Sequence, residues 1–110
     1  MKIIFDYSIF TFQHLGGISR YFINLDKEIN KASNSHILAP IHYNKFLNQH
    51  LNYKGTYIKK FPKFTKRIFD TYNKIITNKY IKNNKTDIYH KTYYNNFWPK
   101  DFKGKKFITV

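Results

Sequence analysis

The chain has 110 residues, of which 42% are hydrophobic and 24% are charged, a size and balance that fit one globular domain and exclude two. Its apolar stretches fall short of the roughly 18 residues that a membrane helix needs, and its start lacks the apolar segment of a secretion signal. Cysteine is absent, which excludes disulfides, thiolate catalysis and cysteine-ligated zinc. A cytoplasmic domain is therefore expected.

The formal net charge of +14 would ordinarily favour nucleic acid or an anionic membrane as the partner. Lys, Ile, Asn, Phe and Tyr, however, make up 66 of the 110 residues, and their codons are rich in A and T. Arginine, which binds phosphates and bases through two parallel hydrogen bonds, occurs only at Arg20 and Arg67. We interpret most of the charge as a solvated lysine surface, with no specific nucleic-acid partner and only weak peripheral contact with a membrane.

The first part of the chain predicts a strand, a glycine-closed loop and a helix. The apolar run Lys2–Phe5 predicts a central buried strand, and residues 6–17 predict a loop. The following apolar residues recur at spacings of three and four, typical of one helix face, with Ser19 as a cap or first-turn residue. They are Ile18, Tyr21, Phe22, Leu25 and Ile29. Ser35–Ile41 then predicts a parallel strand beside the first, in a βαβ unit.

The second part continues the alternation of strands and helices. Tyr43–Leu51 predicts a short helix, and Thr56–Phe61, which ends before a proline, predicts a third strand. A longer helix begins near Thr65 and has the apolar positions Ile68, Phe69, Tyr72, Ile75, Ile76 and Tyr80. Asp87–His90 and Lys105–Val110 predict two further strands, separated by the aromatic loop Thr92–Pro99. The expected fold class is α/β, with a Rossmann-like, mostly parallel sheet and flanking helices.

Candidate binding residues follow the first and fourth strands, because ligands of open parallel sheets bind beyond the carboxyl ends of the strands. Gly16 and Gly17 precede a helix, where backbone N–H groups and the helix dipole suit a phosphate; a tight turn is the alternative. His90, Tyr93 and Tyr94 could contact a polar substrate or transfer a proton, or simply pack. The commonest nucleotide-binding glycine motifs are absent from the sequence.

The sequence predicts neither a metal site nor a carboxylate pair. The remaining histidines show no ligand spacing with carboxylates, and the chain has six acidic residues in all. Asp6 follows the first strand and Asp87 opens the fourth, so a parallel sheet would place them at opposite edges. We therefore expect no metal and no cofactor.

Four stretches, in chain order, resemble the amino-terminal half of a family 4 (group 1) glycosyltransferase. The most specific is Gly-Gly-Ile-Ser-Arg-Tyr at residues 16–21, behind the Asp-Tyr that ends residues 2–7. Asp-Ile-Tyr-His at residues 87–90, with Tyr93 and Tyr94, and Phe-Ile-Thr-Val at residues 107–110 support it.

The resemblance implies a GT-B enzyme with two Rossmann-like halves, the first holding mainly the acceptor and the second the nucleotide-sugar donor. The resemblance implies that Gly16 and Gly17, together with Arg20 of the same motif, approach the donor phosphates or the acceptor. It also implies that His90, Tyr93 and Tyr94 lie on the acceptor side. The family often has a His-Asp pair just after the strand that ends here at Val110, and a paired-glutamate donor motif in its second half. Residues 1–110 would thus be a partial amino-terminal domain that lacks the donor-binding domain.

The leading hypothesis is a fragment of a retaining glycosyltransferase of polysaccharide biosynthesis. The parent would transfer a sugar from a nucleotide-sugar donor to a glycan acceptor, in the cytoplasm or at the inner face of the membrane, and this chain alone would show no turnover. Two alternatives stay open: a basic nucleic-acid-binding module, and a non-catalytic remnant of a truncated gene.

Overall fold

A computed structural model describes residues 1–50 and 52–108, and in them five parallel strands form one sheet. The strands are β1 (Lys2–Phe5), β2 (Asn34–His42), β3 (Tyr53–Tyr57), β4 (Ile88–Lys91) and β5 (Lys105–Ile108). The helices are α1 (Ser8–Phe12), α2 (Gly17–Asn30), α3 (Lys45–Asn48) and α4 (Lys66–Asn83). The sheet order is β3-β2-β1-β4-β5, with each neighbouring pair parallel. The predicted Rossmann-like α/β class is confirmed.

Apolar side chains alternate across the central strand and build a core on each face of the sheet. Ile3 and Phe5 of β1 pack on one face with Phe22 of α2 and Leu47 of α3. Ile4 lies in the second cluster, which is flanked by Tyr80 and Ile81 of α4. Because β1 is buried on both faces, its sequence is a continuous apolar run and does not alternate between apolar and polar residues.

The prediction of an uninterrupted loop over residues 6–17 is wrong, because the segment contains α1. This helix has only five residues and buries Ile9 and Phe10. Its first turn depends on a distant residue: the Ile9 N–H donates to Thr92 Oγ1 at 2.9 Å. A helix this short is not stable alone, so the tertiary contact decides whether it forms.

The predicted apolar faces of the two long helices are rotated in the structure. In α2, Ile18 and Tyr21 are 45% and 52% exposed, whereas Ser19 and Asp26 are buried beside Phe22 and Ile23. Asp26 is buried because it accepts hydrogen bonds: its Oδ1 takes one from Ser35 Oγ at 2.7 Å, and its Oδ2 lies 2.7 Å from His50 Nε2. Satisfied polar residues thus displace apolar ones from the buried face.

The buried face of α4 includes Asn73, and Ile68, Tyr72 and Ile75 are exposed. Asn73 Oδ1 accepts a hydrogen bond from the Ile41 N–H at 2.8 Å, and its Nδ2 donates to the Ile41 carbonyl at 3.0 Å. β1 ends opposite Ile37, so this part of β2 has no strand neighbour on that side. The Asn73 amide completes the hydrogen bonding of β2 and fixes the position of α4.

The third strand is displaced from its predicted range, since β3 covers Tyr53–Tyr57 instead of residues 56–61. The pairing of β2 with β3 shifts register between Ala39 and Ile41, around Pro40, which has no N–H to donate. Gly55 lies opposite this irregularity with a φ of 147°. Phe61, which suggested a later strand, packs instead on Tyr43 and Phe69, with ring centroids 5.0 Å apart in each case.

Other predicted elements differ mainly in their ends. The first strand has its predicted bounds, the helix predicted within Tyr43–Leu51 is limited to α3, and the fourth strand extends one residue beyond its predicted end, to Lys91. Leu51 and the last two residues of the predicted strand Lys105–Val110 lie outside the described residues. Within the described ranges, none of the helices is both long and apolar enough to cross a bilayer.

Replacing Gly55 with Ala should destabilise the fold by about 2 kcal/mol or more. A Cβ at Gly55 would collide with the Ala39 carbonyl oxygen, and the φ of 147° is unfavourable for any other residue. The free energy of unfolding, measured by urea denaturation, tests this. Gly17→Ala is the matched control, because its Cβ would meet no described atom within 4 Å beyond its chain neighbours and its own helix backbone, so its stability should not fall. Equal stabilities of the two variants would contradict the prediction.

The stability of the fold should decrease as pH falls from about 6.5 to about 5. Burial in β2 lowers the pKa of His36 and of His42 from 6.5 to about 4, so the unfolded chain takes up protons before the native one does. His36→Leu should make the dependence of unfolding free energy on pH shallower by up to about 1.4 kcal/mol per pH unit. Above pH 7.5 variant and wild type should run parallel, because the histidines are then neutral in both states. Parallel curves below pH 6.5 would refute this account.

Candidate functional site

The carboxyl ends of β1 and β4 lie side by side at the point where the strand order reverses. β1 pairs with β2 on one side and with β4 on the other, so the connections from β1 and β4 diverge here. The Asp6 N–H continues the pairing past β1 by donating to the His90 carbonyl at 3.1 Å. Such a divergence is the usual ligand-binding position of open parallel sheets.

Asp6 is the hub of a buried polar network at this position. Its carboxylate accepts hydrogen bonds from Ser8 N–H at 3.2 Å, Ser8 Oγ at 2.6 Å, Thr92 N–H at 2.9 Å and Thr92 Oγ1 at 2.8 Å. The Tyr89 hydroxyl lies 3.4 Å from Asp6 Oδ2. One carboxylate therefore joins the segment after β1 to the segment after β4.

Burial and hydrogen bonding act on Asp6 in opposite directions. Burial raises the pKa of its carboxyl group, and the hydrogen bonds from Ser8 and Thr92 oppose that rise. Burial likewise raises the pKa of the Tyr89 hydroxyl, and the nearby Asp6 adds to the effect. The arrangement is that of a structural anchor: both carboxylate oxygens are engaged and the side chain is inaccessible to solvent.

The loop after β4 closes over the hub through Asn95 and Lys91. Asn95 Nδ2 donates to Ser8 Oγ at 2.6 Å, while Lys91 Nζ donates to the Asn95 carbonyl at 2.7 Å. Lys91 is only 2% exposed, and its Nζ lies 3.9 Å from the centroid of the Trp98 ring. Burial lowers the pKa of this ammonium group, whereas Asp6 raises it. A cation–π contact and a carbonyl thus compensate a buried charge and hold the loop in place.

Gly16 and Gly17 lie at the start of α2, which begins at Gly17. Ser19 belongs to the first turn and is not the cap: its hydroxyl donates to the Gly16 carbonyl at 2.9 Å. The Gln13 side chain caps this helix end, because its Oε1 accepts a hydrogen bond from Ser19 N–H at 3.3 Å. A Cβ on Gly16 would collide with that side chain, whereas the space beside Gly17 is open in the described structure.

Arg20 contacts α3. Its guanidinium lies over the Phe46 ring of α3, 5.0 Å from the centroid. It lines a small cleft between α2 and α3, together with Lys27 and His50. The three residues grouped by the sequence motif therefore face different surroundings.

The acceptor-side candidates separate into packed and exposed residues. The His90 ring lies between Phe5, Phe22 and Phe107, at centroid distances of 5.2, 5.6 and 6.2 Å, and burial lowers its pKa. These contacts place His90 on the α2 face of the sheet, in an aromatic environment.

The two tyrosines after β4 differ from each other. Tyr93 stacks on Phe12 of α1, with the centroids 4.5 Å apart and the rings inclined by 19°. Tyr94 is 60% exposed, and its ring is 6.0 Å from that of Tyr93. Tyr94 therefore presents an accessible aromatic surface beside a packed pair.

Asp6 and Asp87 are separated as predicted. Asp87 lies at the amino end of β4, where its Oδ2 accepts a hydrogen bond from Lys2 N–H at 2.7 Å. Asp6 lies beyond the opposite end of β1. Among the described residues, no cluster of three or more His, Cys, Asp or Glu side chains could hold a metal ion.

Sequence reasoning did not identify Ser8, Lys91, Thr92 and Asn95 as parts of the site. The available signal was the run of polar residues directly after two strands that a parallel sheet makes neighbours. Residues 92–98 also contain aromatic side chains, which favoured the interpretation of this segment as an aromatic loop over that of a polar site.

No protein-family model, curated protein or solved structure matches the chain.

Thr92→Val should destabilise the chain by about 2–3 kcal/mol. Valine has nearly the same shape, but it removes the hydroxyl that donates to Asp6 and accepts from Ile9, leaving both groups buried with one fewer partner. Guanidinium denaturation measures the effect. Thr56→Val on the exposed side of β3 is the matched control and should change the unfolding free energy little. A Thr92 variant as stable as that control would show that the hub does not hold the two segments together.

Proposed function

We propose that the chain forms the acceptor-side, amino-terminal part of a retaining GT-B glycosyltransferase of polysaccharide biosynthesis. The observation that carries the proposal is the open backbone at Gly17. It starts the 14-residue helix α2, and outside its chain neighbours and the backbone of its own helix no described atom lies within 4 Å of the position of a Cβ there. The resemblance of residues 16–21 to the family 4 motif supplies the reaction.

In this role the amino end of α2 would face the diphosphate of a nucleotide-sugar donor. The N–H groups of Gly17 and Ile18 belong to the first turn, where the helix dipole favours negative charge. Negative charge grows on the diphosphate as it leaves, so fixed donors aimed at it lower the barrier. The Gln13 amide, which already accepts from Ser19 N–H, would orient the third residue of the turn.

The acceptor glycan would lie along the exposed aromatic and apolar rim of the same edge. Phe12, Leu15 and Tyr94 are 46%, 53% and 60% exposed. Aromatic faces bury the C–H faces of sugar rings while the sugar hydroxyls remain free to form hydrogen bonds. The reaction would take place in the cytoplasm or at the inner face of the membrane, and turnover would need a donor-binding half in addition to this chain.

The proposal predicts that Gly17→Trp blocks nucleotide-sugar binding without unfolding the chain. In ¹⁵N–¹H spectra, titration with UDP-glucose or GDP-mannose should shift the amide signals of Gly16, Gly17 and Ile18. The indole would fill the open space beside Gly17 and suppress those shifts, whereas Gly17→Ala should retain them. In the parent enzyme the tryptophan should lower sugar transfer by about tenfold or more. If Gly17→Trp leaves the donor-induced shifts of this chain unchanged, or leaves sugar transfer by the parent enzyme unchanged, the proposed role is wrong.

A further inference from the structure

A large cleft lies at the edge of the sheet opposite to Asp6. It has a volume of about 1260 Å³ and lies between the carboxyl end of α4 and the connection from β4 to β5. Met1 and Asp87 form part of its wall, which places it at the amino ends of β1 and β4. Its position makes it independent of the glycosyltransferase site proposed above.

The cleft concentrates positive charge. Six of its lining residues are exposed lysines: Lys79, Lys82, Lys85, Lys100, Lys103 and Lys105. Within residues 1–50 and 52–108, none of these ammonium groups forms an ion pair. Of the two acidic residues in the wall, Asp87 already accepts a hydrogen bond from the backbone of Lys2. A preference for codons rich in A and T would raise the number of lysines, but it would not place six of the chain's 18 lysines around one cavity.

Shape and lining indicate the kind of anion. The volume exceeds the range of about 300–1,000 Å³ that is typical of pockets for a single small ligand, which favours a segment of a polymer. A concave wall fits a flexible chain better than a planar lipid surface, which cannot follow it. Phe107 of β5 also lines the cleft; its ring centroid lies 6.2 Å from that of His90, and its 47% exposure leaves part of the ring accessible for stacking.

We propose that this cleft binds single-stranded nucleic acid through its phosphate backbone, without sequence preference. The lysine ammonium groups act as point charges toward phosphates, and release of condensed counterions drives binding. The absence of arginine from the described lining accounts for the lack of base-specific recognition. The Phe107 ring supplies stacking that any base can use.

The test measures the binding of a fluorescent oligouridine of about 20 nucleotides to the whole chain by anisotropy over a range of salt concentrations. Lys82→Gln/Lys103→Gln should weaken binding by about tenfold or more near physiological salt and reduce the salt slope by about 1.4, or 0.7 for each lost contact. The matched control is Lys59→Gln/Lys60→Gln, which removes the same charge from exposed positions just past β3. That control should bind within about twofold of the wild type.

Further measurements distinguish binding in this cleft from a general attraction of the chain to polyanions. Phe107→Leu keeps the charge and should weaken oligouridine binding by about fivefold, because it removes the stacking ring. Thermal unfolding monitored by circular dichroism identifies any variant that has lost the fold, and Phe107→Tyr, which keeps a ring, should then restore binding. The proposal is overturned by equal effects of the two lysine pairs, by an absence of oligouridine binding, or by binding to anionic phosphatidylglycerol vesicles in preference to oligouridine.

Discussion

The carboxylate of Asp6 is the constraint on which the carboxyl edge of this sheet depends. A buried carboxylate must be satisfied, and here the donors come from Ser8, two residues away, and from Thr92, 86 residues away in the chain. Thr92 also caps the first turn of α1 at Ile9. The same side chains therefore fix β1, α1 and β4 relative to one another, and α1 exists because this connection closes.

The network gives the edge a rigid buried layer beneath a more accessible rim. Lys91 and Asn95 hold the loop after β4 in contact with Ser8, whereas Tyr94, in the same loop, remains exposed. Sites are better preorganised when the groups that face a ligand rest on side chains that cannot move. The proposed sugar-transfer role uses this arrangement: the polar network positions the edge, and the open backbone at Gly17 and the aromatic rim would meet the substrates.

The two edges of the sheet differ in chemistry, and this separates the two proposals. The carboxyl edge combines a glycine-initiated helix with aromatic side chains; two of its charged groups, Asp6 and Lys91, are buried and compensated, while the exposed Lys66 lies over the Phe12 ring. At the amino edge, exposed lysines without ion pairs among the described residues surround an open cleft. A net charge of +14 looks uniform in the sequence, but the fold gathers part of it in one place. The codon-composition interpretation concerns only the number of lysines, whereas the fold places six of them around one cleft.

The alternation of strands and helices, the parallel sheet and the separation of Asp6 from Asp87 could all be predicted from the order of residues, because hydrophobic periodicity and the direction of parallel strands are local or topological properties. The sequence alone did not determine the rotation of α2 and α4, because Asp26 and Asn73 are buried by partners distant in the chain. Nor did it determine α1, the range of β3 or the hub at Asp6. Each of these depends on a contact between remote segments, such as Thr92 with Ile9 or Gly55 with Ala39, and only the closed tertiary structure brings those atoms together.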